Sequence, residues 1–362
     1  MKILQFSQQG KRGNNEDCLG MNEVLLTVCD GMGGHNYGER ASAFVVEQLL
    51  QTFTQVQTLG KTEIQQHLVK VQASLNSLLE KEPELERMGT TFTGIFRTPD
   101  VWYAAHIGDS RIYLFRPAEH KLWHTWDHSL VGNLMRTHEI TVEAGRFHPL
   151  SNRISKAIIA QHGGKPVAAS IVKLDELKAD DILLLCSDGV IEAWGDWELV
   201  QLFADKNLSF KQKCQKIAAQ CDALSKDNNT AIIAEIGIDD AFSYGNDSEL
   251  DWTTFDEVEA DYNLFVSESS EENLELEIER NEEESEPIAR EHHKRWLWPT
   301  VTGILLAAVA ALFFFVVQPS QKNSKTITEK NKTERIDTQK KKKAPRNKEI
   351  KNKKTKSKEI IL

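Results

Sequence analysis

The chain has 362 residues, of which 40% are hydrophobic, and 44 Lys+Arg against 54 Asp+Glu leave a formal charge of −10. That length admits one large domain or two smaller ones, and the acidic balance argues against a nucleic-acid partner. The 5 cysteines (Cys18, Cys29, Cys186, Cys214 and Cys221) are odd in number and scattered without C-x-x-C spacing. This argues against a zinc knuckle, and structural, reduced cysteines fit a cytosolic domain.

Charge divides the chain into three regimes. Residues 1–238 carry about 24 bases and 29 acids and have globular composition. From Asp239 to Glu291 there are about 20 acids and 2 bases; beyond Val317 there are about 16 bases and 5 acids. Only the first regime has enough apolar surface to offset the entropy of ordering. The expected domains are therefore a catalytic unit over 1–238, a disordered acidic linker over 239–293, a membrane helix over 296–317 and a disordered lysine-rich tail over 318–362.

Met1-Lys2-Ile3-Leu4-Gln5 lacks a basic region followed by an apolar stretch, so no signal peptide is expected. Val24-Leu25-Leu26-Thr27-Val28 is apolar and β-favouring, and it runs into Cys29-Asp30-Gly31. Gly38–Val56 and Glu63–Leu79 place apolar residues at helical spacing, giving two long amphipathic helices. Strands are predicted over Thr91–Phe96, Val101–Ile107, Arg111–Phe115, Ile182–Cys186 and Thr230–Ile236, with Gly108-Asp109-Ser110 read as a hairpin turn. Helices inserted between groups of strands suggest sheets covered by helices rather than a regular βαβ alternation.

Ile182-Leu183-Leu184-Leu185 repeats the first pattern, leading into Ser187-Asp188-Gly189. An aspartate ending a buried strand before a glycine puts an acceptor-only carboxylate at a sheet edge beside accessible backbone. With Gly108-Asp109-Ser110-Arg111 and Asp227-Asn228-Asn229-Thr230, these carboxylates form a set suited to hard divalent cations.

The full order is Arg12-x-x-Asn15-Glu16-Asp17, Asp30-Gly31-Met32-Gly33-Gly34-His35, Gly38-Glu39 and Gly89-Thr90-Thr91. Gly108-Asp109-Ser110-Arg111, Asp127-His128-Ser129, Ser187-Asp188-Gly189 and Asp227-Asn228-Asn229-Thr230 follow. This closely resembles the protein phosphatase 2C family of metal-dependent Ser/Thr phosphatases, particularly its bacterial members, over about residues 5–238. The resemblance implies an α+β fold, a four-layer α-β-β-α sandwich of two antiparallel sheets flanked by helices. It implies two Mn²⁺ or Mg²⁺ ions, with a third in bacterial relatives.

In that reading Asp30 bridges the two ions and the Gly31 carbonyl completes one. Asp188 and Asp227 ligate the second, Glu16 and Asp17 act mainly through bound waters, and Asp109 with Asp188 serves the third. Arg12 holds the substrate phosphate. The ions neutralise the phosphate and yield a bridging hydroxide for in-line attack, with Arg12, Asp30 and Asp188 at the catalytic centre. Asp127 to about Ala160 corresponds to the family's flap. One position departs from the eukaryotic pattern: Met32 stands where those members have a histidine assigned as general acid, which leaves His35 or a metal-bound water. The plain alternatives are that Thr90-Thr91 merely starts a strand, Arg111 forms an ion pair and His128 orders the flap.

Trp296–Val317 is an uncharged run of about 22 residues, long enough to span a bilayer as a helix. Lys294-Arg295 precede it, and the globular part is placed inside with the tail outside. There Lys340-Lys341-Lys342-Lys343 and Lys353-Lys354 are free to contact anionic envelope polymer or lipid headgroups, or serve as a solvated stop-transfer tail. The expected function is a membrane-tethered phosphoserine/phosphothreonine phosphatase opposing a Hanks-type kinase. The rival is a catalytically silent phosphoprotein-binding sensor or scaffold at the membrane.

Overall fold

The computed structural model describes residues 1–285 except 34–36, 55–58, 99–100 and 245–248, with side chains through residue 270. The larger of two units, Met1–Asn273, holds both sheets; of the second, Leu274–Glu359, only helical backbone to residue 285 is described. In chain order, strands β1 (Lys2–Gln8), β2 (Asp17–Met21) and β3 (Leu25–Met32) precede helices α1 (Gly38–Thr52) and α2 (Lys61–Leu78). Strands β4 (Gly89–Thr90), β5 (Phe92–Arg97), β6 (Trp102–Ile107), β7 (Arg111–Arg116) and β8 (Lys121–His124) follow. The flap region holds α3 (Leu130–Arg136), α4 (Val142–Arg146) and β9 (Ile158–Ile159). Next are β10 (Ser170–Leu174), β11 (Glu176–Leu177), β12 (Ile182–Cys186), α5 (Asp188–Ala193), α6 (Asp196–Ala204) and α7 (Phe210–Leu224). The described chain ends with β13 (Asn229–Glu235), β14 (Phe242–Ser243), β15 (Thr253–Thr254) and α8 (Phe255–Ser285).

One sheet has the order β1-β13-β12-β7-β8-β15; the other runs β10-β6-β5-β3-β4-β9, with β2 also paired to β3. Every pairing between these strands is antiparallel. Strand β12 shows why its sequence reads as one apolar run. Leu183 and Leu185 enter the core between the sheets, while Ile182, Leu184 and Cys186 pack toward helices, so both faces are covered. On the opposite side, Val45 and Leu49 of α1 and Ile64, Leu68, Val71 and Leu75 of α2 bury the helical stripe against Phe92 and Phe96. The expected four layers follow: helices, sheet, sheet, helices.

Two expectations are corrected. Gly108-Asp109-Ser110 is not a hairpin turn, because β6 and β7 lie in different sheets. Gly108, at φ +106°, turns the chain from one sheet to the other, and each strand finds other partners. The acidic stretch is also not disordered throughout. Within it β14 pairs with β11, β15 extends the first sheet, and α8 follows. Phe255 is 5% exposed and Val258 8%, both inside the core under that sheet. Composition averaged over the segment conceals these few apolar residues at folding positions.

The apolar run 296–317 and the basic tail lie outside the described residues; among the described residues no helix is long and apolar enough to cross a membrane.

Because the Phe255 ring is buried in the core under the first sheet and stacks on the His120 ring, Phe255→Ala should lower unfolding stability by about 3 kcal/mol. Denaturant titration checks this; a loss below about 0.5 kcal/mol would return the segment to a loose tether.

Candidate active site

Two strand ends bring the first acids together. In the β2–β3 ladder Asp17 stands directly opposite Asp30, so their side chains share one face. Gly31 donates its N–H to the Glu16 carbonyl at 3.0 Å. A Cβ on Gly31 would lie 2.2 Å from the Gly38 carbonyl oxygen and 2.4 Å from that of Glu16, so only glycine fits here. Ser42 of α1 donates to the same Glu16 carbonyl at 2.6 Å.

The peptide of Asp30 is gripped on both sides. Its N–H donates to Thr91 Oγ1 at 2.9 Å, while its carbonyl accepts from Thr91 N at 2.8 Å and Thr90 Oγ1 at 2.7 Å. Thr90-Thr91 therefore does more than begin a strand. The Thr91 hydroxyl lies 2.7 Å from that of Ser110, tying Asp30 to the turn that carries Asp109.

From the other sheet, Asp188 opens α5 directly after β12. Ser187 donates to Asp17 Oδ2 at 2.7 Å and accepts from Thr230 N at 3.0 Å, joining three segments. Asp227 precedes β13 and pairs with the Arg12 guanidinium. Asn228 clips the loop before β2: Glu16 N donates to its Oδ1 at 2.9 Å, and its Nδ2 donates to the Gln9 and Asn14 carbonyls, each at 2.8 Å.

Burial and mutual repulsion govern the ionisation of this cluster. Desolvation first, and then Asp17, Asp188, Asp109 and Asp227, push Asp30 well above the usual carboxylate range. Asp109 is raised in the same way, by burial and then Asp188. Asp17 is pushed up to about 6 and Asp188 to about 7, burial leading in both cases. Glu16 is raised by burial and then by Glu39. Arg12 is the cation in this field, its own pKa raised by the hydrogen bond and charge of Asp227 and by Asp188 and Asp30.

Two oxygens decide what the cluster suits. Asp17 Oδ1 and Asp188 Oδ1 are buried without a hydrogen-bond partner, as is Glu39 Oε2. Buried anionic oxygens left unbonded and massed together fit small hard cations, which accept oxygen ligands and cancel the repulsion. Among the described residues no three His, Cys, Asp or Glu side chains form a finished cage around one point. The carboxylates converge on the site rather than enclosing a preset cavity within it.

Beside them opens a cleft of about 570 Å³, lined by Arg12, Asp109, Asp188 and Asp227 on one side and by Arg146, Phe147, Ser151 and Asn152 of the flap. Arg111 borders it but is committed elsewhere. Its Nε and Nη2 donate to Asp127 at 2.7 and 2.8 Å and its Nη1 to Tyr113 at 3.0 Å, which makes it an ion-pair residue. His128 accepts from Gly108 N at 3.1 Å, lies 2.9 Å from the Ser170 hydroxyl and stacks on His106. Burial and His106 push its pKa down to about 3, so it orders the flap as a neutral ring. Met32 ends β3, and His35 lies outside the described residues.

The sequence reading missed Glu192, whose Oε2 accepts from Lys226 N at 2.8 Å and Asp227 N at 3.2 Å. Its position four residues after Asp188 on α5 was the available signal, because such residues share a helix face.

A family profile described as Protein phosphatase 2C matches residues 14–228. The chain belongs to the protein phosphatase 2C family. It is similar to the serine/threonine phosphatase stp of Listeria monocytogenes serotype 4b, 30% identical over 236 residues that cover 62% of this chain and 91% of the relative. The protein phosphatase PhpP of Streptococcus pneumoniae serotype 2 is 32% identical over 200 residues, covering 52% of this chain and 79% of PhpP. Among solved structures, the Mycobacterium tuberculosis serine/threonine phosphatase PstP matches with a TM-score of 0.56 at 29% identity, covering 65% of this chain and 98% of that one. The PstP catalytic domain in complex with two manganese ions matches with a TM-score of 0.55 at 27% identity over the same shares, 65% and 98%. This phosphatase is thus a protein serine/threonine phosphatase, with the family's mixed fold of two antiparallel sheets and helices.

Carboxylates whose folded pKa exceeds the unfolded value stabilise the fold at low pH and lose that contribution as pH rises through the folded pKa. For Asp17 and Asp188 the window runs from about 4 to about 7. Chelator-treated protein should therefore melt higher at pH 6 than at pH 8, and Asp188→Asn should raise its melting temperature at pH 8 by roughly 3–6 °C. Differential scanning calorimetry reads both; a melting temperature that climbs from pH 6 to 8 would contradict the origin assigned to the repulsion.

Proposed function

We propose that this phosphatase is tethered to the membrane by residues 296–317, hydrolyses phosphoserine and phosphothreonine in cytoplasmic proteins with Mn²⁺ or Mg²⁺, and opposes a Hanks-type kinase. The observation that carries the reading is the meeting of Asp17, Asp30, Asp109, Asp188 and Asp227 from both sheets, with unbonded buried oxygens on Asp17 and Asp188. The PstP domain that binds two manganese ions supports the metal.

In this reading Asp30, Asp188 and Asp227 hold the ions with the Gly31 carbonyl, Glu16 and Asp17 act through bound water, and Asp109 serves a third ion. When bound, the ions cancel the charge of a phosphate dianion and acidify water into a nucleophile. The chain's own residues do the rest. Thr90 and Thr91 fix the Asp30 backbone, Ser187 orients Asp17, and Asn228 shapes the Arg12 loop. Arg12, with its side chain 58% exposed at the cleft mouth, exchanges its Asp227 contact for the substrate phosphate and orients it by paired N–H donors. A catalytically silent sensor has no use for Asp17, Asp30, Asp109 and Asp188, which burial and mutual repulsion raise above the usual carboxylate range at a cost in stability.

The uncharged run preceded by Lys294-Arg295 supports the tether, and the lysine-rich tail then faces outward, toward anionic polymer or lipid headgroups.

With Mn²⁺ and a phosphothreonine peptide, Asp30→Asn and Asp188→Asn should each lower kcat by at least about 10³-fold while the protein remains folded. Arg12→Ala should act mainly by raising KM, about tenfold. The wild-type activity should sediment with membranes, and protease added to intact cells should remove the tail but spare the catalytic unit. Wild-type turnover by Asp188→Asn would sink the metal assignment, and a protected tail would reverse the orientation.

A further inference from the structure

Helix α8 begins at Phe255, well beyond residues 14–228 that the family profile matches, yet it reaches the flap beside the cleft. Two contacts make the connection. Asp261 Oδ2 accepts from Val142 N at 2.9 Å and also bonds the backbone of Glu143, at the first turn of α4. One turn further along α8, the ring of Phe265 stacks on Phe147, centroids 5.9 Å apart and planes 19° apart.

Phe147 is the residue directly after α4 and lines the cleft that holds Arg12 and Asp227. It is 64% exposed, and Leu224, 57% exposed, lines the same cleft. Both are large apolar side chains on the wall of one cleft, where an apolar group entering the cleft can cover them. The α4 segment is also joined to the floor of the site. Arg146 bonds Glu143 and donates to the Glu192 carbonyl at 3.2 Å, and the Glu192 carboxylate holds the backbone of Lys226 and Asp227. A helix from outside the matched residues thus packs on a flap residue that lines the cleft.

We propose that α8 is part of the substrate-binding apparatus: Asp261 and Phe265 position Phe147, which with Leu224 takes up an apolar side chain flanking the phosphoresidue of the phosphoprotein. The proposal rests on the phosphatase reading above and deepens it. Phe147 and Leu224 determine specificity, whereas Asp261 and Phe265 are positioning residues that never touch the substrate. A peptide with glycine beside its phosphothreonine keeps the phosphate contacts and forfeits this one.

The test uses the full chain with Mn²⁺ and two phosphothreonine peptides, one flanked by leucine and one by glycine. Wild type should prefer the leucine peptide about tenfold in kcat/KM, through KM rather than kcat. Phe147→Ala, Phe265→Ala and Asp261→Ala should each bring that ratio down to about one, and Asp261→Asn, which keeps an acceptor for α4, should restore it to within about twofold of wild type. A merely structural role lowers both peptides alike; a ratio that stays at the wild-type value in Phe265→Ala and Asp261→Ala overturns the proposal. Equal turnover of both peptides by wild type overturns it as well. Failure of wild type to hydrolyse either peptide would instead overturn the phosphatase reading itself.

Discussion

Bringing like charges together inside a protein is unfavourable, and the architecture of this chain is arranged around doing so. Asp30 and Asp17 come from one sheet; Asp188 and Asp227 flank strands of the other, and Asp109 sits where the chain crosses between them. Among them Asp227 has a countercharge, Arg12, and Asp30 and Asp17 are held by neutral groups. Hydroxyls and amides (Thr90, Thr91, Ser187 and Asn228) grip the peptides and loops, leaving oxygens of Asp17 and Asp188 unbonded. A site assembled this way stores repulsion that a divalent cation releases, so affinity for metal and instability without it share one physical origin.

Such a cluster needs a rigid support, and the four layers supply it. Leu26, Val28, Ile95, Ile112, Leu114, Leu183, Leu185 and Ile232 fill the space between the sheets, and all eight are wholly buried. Strand ends that carry acids cannot then separate without opening that core. Outside that core lie the flap, where α3 and α4 border the cleft, and α8, which rests partly on the first sheet and partly on the flap.

Much of this was legible in the sequence for definite reasons. Asp30 and Asp188 stood out because each follows an apolar, β-favouring run and precedes a glycine, a local pattern that survives without tertiary information. The helix pair was legible from its spacing, with its boundaries placed a few residues differently. Asp109 was identified, but its turn was misread, because nothing local distinguishes a hairpin from a crossover between sheets. Asn228 and Glu192 act through contacts with segments distant in the chain, so their clipping roles appear only in the folded state. The order in the acidic segment was hidden because four residues, Leu250, Trp252, Phe255 and Val258, decide it against an overwhelming background of charge.

Isothermal titration calorimetry of Mn²⁺ into the chelator-treated chain addresses the central claim most directly. The carboxylate cluster predicts uptake of at least two ions per chain, with protons released on binding near pH 6.5, where Asp188 at about 7 still holds part of its proton. Absence of heat and of proton release at millimolar Mn²⁺ would contradict the account.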